Sequence, residues 1–183
     1  MGIIAIILNA VIIILEITAL LKRFRDISLE TFAYYTVISN LLTLISCAAA
    51  IVCGGAPVLR YLATCMMVMT FAVTVCVLIP VGGRAKELLF TGTGLYHHLI
   101  CPVLCFISYV FFEPHCRTWM LPVAVTFIYG MIMLWLNHKG KVDGPYPFFK
   151  VREQKRSSTV IWMAALICLI AVISLAVRWA AGR

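Results

Sequence analysis

Six stretches of about twenty apolar residues, separated by short connections that hold nearly all the charge, constrain this chain more than any motif in it. They fall over residues 3–21, 32–52, 59–81, 94–112, 119–136 and 159–179. At 1.5 Å rise per residue, ~20 apolar residues span the hydrocarbon core of a bilayer as one helix. The rest of the composition agrees. Apolar residues make up 63% of the 183 and charged residues only 12%, against roughly 45–50% and 25% in soluble domains. So few charges cannot cover a water-soluble body without leaving large apolar patches. The same numbers exclude disorder, a coiled coil and a disulfide scaffold. The expected fold is all-α, an integral membrane bundle of six transmembrane helices forming a single domain over residues 1–183. The first stretch lacks a basic leading region and a small-residue cleavage site, so it is expected to be a retained span rather than a signal peptide.

The basic residues predict a sidedness. Lys22, Arg23 and Arg25 lie in the first connection and Arg84 and Lys86 in the third. The fifth holds Lys139, Lys141, Lys150, Arg152, Lys155 and Arg156, bringing this side to eleven of the fifteen basic residues. Arg60, Arg117, Arg178 and Arg183 fall to the other side. The positive-inside rule then places the odd-numbered connections in the cytoplasm and both termini outside. The net charge of +8 flanks spans, where anionic headgroups attract it. No basic groove with interleaved aromatics accompanies it, so nucleic acid is not an expected partner. Six of the eight cysteines fall within spans, where a thiol is a compact apolar filler. Cys53 and Cys116 lie near the same face, as two free thiols or a disulfide. No spacing suits zinc, and neither a metal nor a cofactor is expected. His115 and His138 lie at opposite ends of the fifth span, which disfavours haem ligation.

The informative residues are the polar ones inside spans, where they are costly and turn toward the bundle interior. Glu16 sits toward the end of the first span, either locking helices or headgroups, or orienting a histidine or cation. Thr36 and Asn40 are one helical turn apart with Ser39 beside them, as helix glue or as a site. His97 and His98 point about 100° apart on a helix, so both cannot face one small site. Pro102 leaves the His98 carbonyl without its usual donor and favours a kink. Alternation of the spans puts Glu16, Thr36, Asn40 and His98 at one depth, the inner leaflet. The fifth connection adds an aromatic and basic rim, with Tyr146, Phe148, Lys150 and Arg152, that serves as an anchor or covers a cavity mouth and holds an anionic headgroup.

Three short elements occur in order: Tyr35-Thr36-Val37-Ile38-Ser39-Asn40-Leu41-Leu42, His98-Leu99-Ile100-Cys101-Pro102 and Gly144-Pro145-Tyr146-Pro147-Phe148. Together, across almost the whole chain, they resemble the androgen-induced and androgen-dependent transmembrane family, especially its small bacterial relatives. The resemblance implies hydrolysis of lipid esters, such as fatty acid esters of hydroxy fatty acids, by an intramembrane threonine and histidine. Thr36 matches the threonine. His98 matches the histidine by its spacing to Pro102, with His97 as the alternative, and Ser39 stands where the family has an acidic residue. Ser39 or Asn40 would donate to an oxyanion and Glu16 would orient the imidazole. The expected partners are membrane lipids and a fatty-acyl substrate. Two other readings fit the same residues: non-enzymatic lipid or small-molecule binding or transport, and a structural subunit whose polar groups are helix glue.

Overall fold

Hydrocarbon offers the backbone no hydrogen-bonding partner, so a crossing segment must satisfy its own amides, and a helix does this within one segment. The computed structural model describes residues 1–23, 29–83, 85–116, 118–143 and 146–182. Among the described residues, six helices are long and apolar enough to cross a membrane. These are α1 (Ile3–Lys22), α2 (Tyr35–Val52), α3 (Pro57–Gly82), α4 (Gly92–Phe112), α5 (Met120–His138) and α6 (Arg156–Ala181). The fold is the expected all-α bundle. Arg25, Arg84, Arg117, Arg183, Gly144 and Pro145 lie outside the described residues.

Local signals set the ends. A 3-10 turn over Leu29–Ala33 and an extended Tyr34 precede α2, so its first helical residue is Tyr35. Gly54 follows the end of α2 at φ +69°, a left-handed conformation that a side chain would strain. Pro57 opens α3, where a missing N–H costs nothing. α1 packs on α2 and α4, while α3 touches α2, α4, α5 and α6 and forms the centre. Ile128, Ile132 and Trp135 of α5 and Val160, Ile161 and Val172 of α6 remain exposed, the surface a bilayer would cover.

Two prolines alter the helix register in matching ways. Pro80 and Pro102 carry no N–H, so the carbonyl four residues earlier loses its donor. The residue before each proline bonds five positions back instead: Ile79 N–H to Thr74 O, and Cys101 N–H to Tyr96 O. The outcome is a π-helical turn at Thr74–Leu78 in α3 and another at Tyr96–Ile100 in α4. Such turns insert an extra residue and re-aim the side chains around them. The distortion expected at Pro102 is therefore a π turn.

One end of the bundle is locked by a buried ion pair. Arg60, counted above among the charges at the outer membrane face, occupies the first turn of α3 with no exposed surface. Its Nε and Nη2 donate to Glu113 Oε2 and Oε1 at 2.7 and 2.9 Å. Its Nη1 donates to Ser46 Oγ at 3.2 Å and Cys47 Sγ at 3.1 Å. Ser108 and Asn9 also donate to Glu113, at 2.6 and 3.0 Å. The pair thus joins α1, α2, α3 and the end of α4. Burial on its own would raise the Glu113 carboxyl, but the hydrogen bonds and charge of Arg60 outweigh it and hold the group below its ordinary value. All eight cysteines are free thiols, including Cys53 and Cys116.

Removing one member leaves the other charged and unpaired. Arg60→Met or Glu113→Gln is therefore expected to cost about 3–5 kcal/mol, and the double replacement by apolar residues less than either. Thermal unfolding in mild detergent reads this out. Because the Glu113 carboxyl is lowered on folding, its contribution is complete above the ordinary carboxylate range and fades as pH falls through the lower folded value. Glu113→Gln should flatten that acid limb.

Candidate functional site

At the opposite end, where α1 finishes and α2 begins, threonines replace charges. Thr36 stands in the first turn of α2. Its Oγ1 lies 3.3 Å from the Tyr146 hydroxyl, and its backbone N–H donates to the same hydroxyl at 3.4 Å. The Thr36 carbonyl accepts from Asn40 Nδ2 at 2.6 Å and from Ser39 Oγ at 3.0 Å. Ser39 Oγ also lies 3.0 Å from Thr70 Oγ1 on α3. One turn on, Thr74 Oγ1 donates to Thr70 O at 2.8 Å and meets His98 Nδ1 at 2.9 Å. A polar ladder thus runs from Tyr146 through Thr36, Ser39, Thr70 and Thr74 to His98. It crosses loop five, α2, α3 and α4.

The ladder borders a cavity. Tyr35 and Thr36 of α2, Thr70 and Thr74 of α3, and Thr126, Tyr129 and Gly130 of α5 line it. So do Tyr146, Phe148 and Phe149 of loop five and Met163, Leu166 and Ile167 of α6. Its wall is mostly hydrocarbon, with hydroxyl-bearing residues contributed by α2, α3, α5 and loop five. The space is narrow, about 40 Å³ counted by the centres of water-sized spheres. By that measure ~10–15 Å³ already admits one water, so the slot suits a short run of methylenes and not a ring system. Loop five forms its floor. Tyr146 stacks on Phe148 with centroids 5.1 Å apart, and Phe148 meets Phe149 edge to face at 4.9 Å. Asn137 at the end of α5 pins the loop, donating to Val142 O and accepting from Val151 N–H.

The two histidines diverge, as their 100° separation requires. His98 turns to Thr74 on α3, whereas His97 turns to Glu16 on α1, Nδ1 to Oε2 at 3.4 Å. Glu16 has no exposed surface and His97 is 2% exposed. Neither carboxylate oxygen and neither ring nitrogen of this pair makes a hydrogen bond among the described residues. The expected orienter therefore accompanies His97, and His98 is held by Thr74. Thr36 and His98 share the ladder, with Ser39, Thr70 and Thr74 between them. Asn40 and Ser39, expected as oxyanion donors, each donate a hydrogen bond to the Thr36 carbonyl.

Loop five differs from its expected form in depth. Tyr146 and Phe148 are buried cavity walls and not an interfacial rim. Lys150 and Arg152 lie outside them, paired with Glu153 and Asp143, each at 3.1 Å. Thr70, Thr74, Gly130 and Met163 were not anticipated. The Thr70–Thr74 interval of four residues was a readable signal, since it aligns two hydroxyls on one helix face. Gly130 was not readable. A Cβ there would come within 2.6 Å of the Met163 Cε, a contact set by the tertiary packing of α5 on α6.

The pairs differ in what their loss should do. His97→Ala takes from the buried Glu16 carboxyl group its neighbour at 3.4 Å, expected to cost about 1–3 kcal/mol. His98→Ala removes the contact with Thr74, worth about 1 kcal/mol in itself. Thermal melts of the two variants should rank accordingly, and Glu16→Leu with His97→Leu should recover part of the first loss. Comparison with protein-family models, with curated proteins and with solved structures finds no match to the chain.

Proposed function

We propose that this membrane protein binds a slender apolar molecule drawn from the bilayer, with a fatty-acyl chain as the chemical class that fits. The observation that carries this reading is the narrow cavity with hydrocarbon on most of its wall and a few hydroxyls among it. Ligand sites of this type are mostly apolar, with a few polar groups that fix orientation. Methylenes would lie against Leu166, Ile167 and the loop-five rings. The polar end of the ligand would lie along Thr36, Thr70 and Tyr146. Met163 is half-buried, contributes to the wall, and is pliable enough to let a chain pass between α5 and α6. The proposed setting is a bacterial inner membrane with the loop-five end of the bundle cytoplasmic. The cluster of Lys139, Lys141, Lys150, Arg152, Lys155 and Arg156 in and around that loop supports this.

A second reading is lipid ester hydrolysis by Thr36 and a histidine, the activity implied by the resemblance to the androgen-induced family. One specific observation favours it: Thr36 belongs to the cavity wall, and its carbonyl is joined through Ser39, Thr70 and Thr74 to His98. In that reaction the Thr36 oxygen would bond to the acyl carbon and the ester C–O bond would break. The proton lost by Thr36 would end on the departing alkoxide, and water would later release the acyl group. Two links of the ladder are the backbone carbonyls of Thr36 and Thr70, which do not relay protons, so transfer from Thr36 to His98 would require a rearrangement that brings them within ~2.6–3.2 Å or one intervening water.

A binding assay separates the readings. With a fluorescent fatty acid and protein in mild detergent, Gly130→Leu should weaken binding at least ~10-fold, the scale of one filled hydrophobic subsite. Thr36→Ala should weaken binding by no more than ~2- to 12-fold, since a single net hydrogen bond is worth roughly 0.5–1.5 kcal/mol. Unaltered binding in Gly130→Leu would remove the cavity as the site. Turnover of a branched fatty acid ester, lost in both Thr36→Ala and His98→Ala, would move the conclusion to hydrolysis.

A further inference from the structure

The contact between Thr74 and His98 determines more than a distance. The Thr74 hydroxyl has one proton and two close neighbours: Thr70 O at 2.8 Å and His98 Nδ1 at 2.9 Å. A carbonyl oxygen only accepts, so a hydroxyl held at 2.8 Å from it places its proton on that line. Were the proton turned to the histidine instead, two lone-pair-bearing oxygens would face each other at that distance. With the proton on the carbonyl side, the hydroxyl offers a lone pair to the ring. A contact at 2.9 Å is then favourable only if Nδ1 carries the hydrogen. Both contacts are satisfied in one arrangement alone: Thr74 O–H to Thr70 O, and His98 Nδ1–H to Thr74 Oγ1.

We infer that Thr74 is a positioning residue that fixes His98 in the Nδ1–H tautomer, leaving Nε2 as the nitrogen that accepts a proton or hydrogen bond. The fold builds this from two matched distortions. Thr74 opens the π turn ahead of Pro80, and His98 lies within the π turn ahead of Pro102. An inserted residue in each helix brings the hydroxyl of one to the imidazole of the other. The neighbouring His97 belongs to Glu16 and takes no part. The assignment stands whether the cavity binds lipid or hydrolyses it. In either case the hydrogen held at Nδ1 makes Nε2 the acceptor nitrogen of the neutral ring.

Nitrogen NMR of the full chain in detergent, with ¹⁵N in the imidazoles, tests this directly. The His98 signals are identified by their loss in His98→Gln, at a pH high enough for the ring to hold one proton. Wild type is expected to show a bonded proton at Nδ1 and none at Nε2. Thr74→Val should lose that pure state, with the proton moving wholly or partly to Nε2, and Thr74→Ser should retain it. A wild-type proton on Nε2 would overturn the inference without recourse to any variant. So would an unchanged Nδ1–H state in Thr74→Val, or its loss in Thr74→Ser.

Discussion

Low dielectric surroundings leave a polar side chain no partner except another part of the protein, and the bundle is organised by that constraint. Arg60 is its most demanding case. A guanidinium without exposed surface must place its donors on protein acceptors, and Glu113, Ser46 and Cys47 supply them from neighbouring elements. The pair holds α1, α2, α3 and α4 together at one end. The other end holds the Glu16–His97 pair beside a ladder of contacts between hydroxyls, carbonyls and an imidazole. Rigid ionic packing at one end and a hydroxyl-lined cavity at the other are two consequences of the same rule.

The prolines explain why that cavity has its particular polar wall. An unbroken α-helix would present Thr74 and His98 in ordinary register. The Thr74–His98 contact joins the two π turns, with Thr74 opening one and His98 inside the other. The same turn in α4 sends His97 to Glu16 on α1, so adjacent histidines serve separate partners. Loop five closes the cavity from the outside with three aromatic rings, tethered by Asn137. None of these contacts involves a surface charge, which suits a site open to lipid and shielded from water.

How much of this was legible depended on the range of the interaction. The spans were legible because about twenty consecutive apolar residues have only one stable arrangement in hydrocarbon. The depth of Glu16, Thr36 and His98 followed from alternation, and the divergence of His97 from His98 followed from helical geometry. Arg60 was misplaced because positive charge near a span end usually belongs to an interface, and only the packed position of Glu113 reveals otherwise. Tyr146 and Phe148 read as interfacial because aromatics beside lysines normally are. Their burial depends on how loop five folds back onto α2 and α6. The partner of Glu16 and the role of Thr74 were hidden for the same reason: which helix faces which is not encoded in the periodicity of either.

The account rests on one physical claim, that the slot between α2, α3, α5, α6 and loop five holds an acyl chain. Photo-crosslinking with a fatty acid bearing a diazirine on its chain, followed by peptide mass spectrometry, tests it most directly. The account predicts label on cavity-wall residues, above all Met163, Tyr129 and Leu166, and competition by unlabelled fatty acid. Label confined to the exposed outer faces, such as Ile128, Ile132 and Val160, and undiminished by competitor, would contradict it.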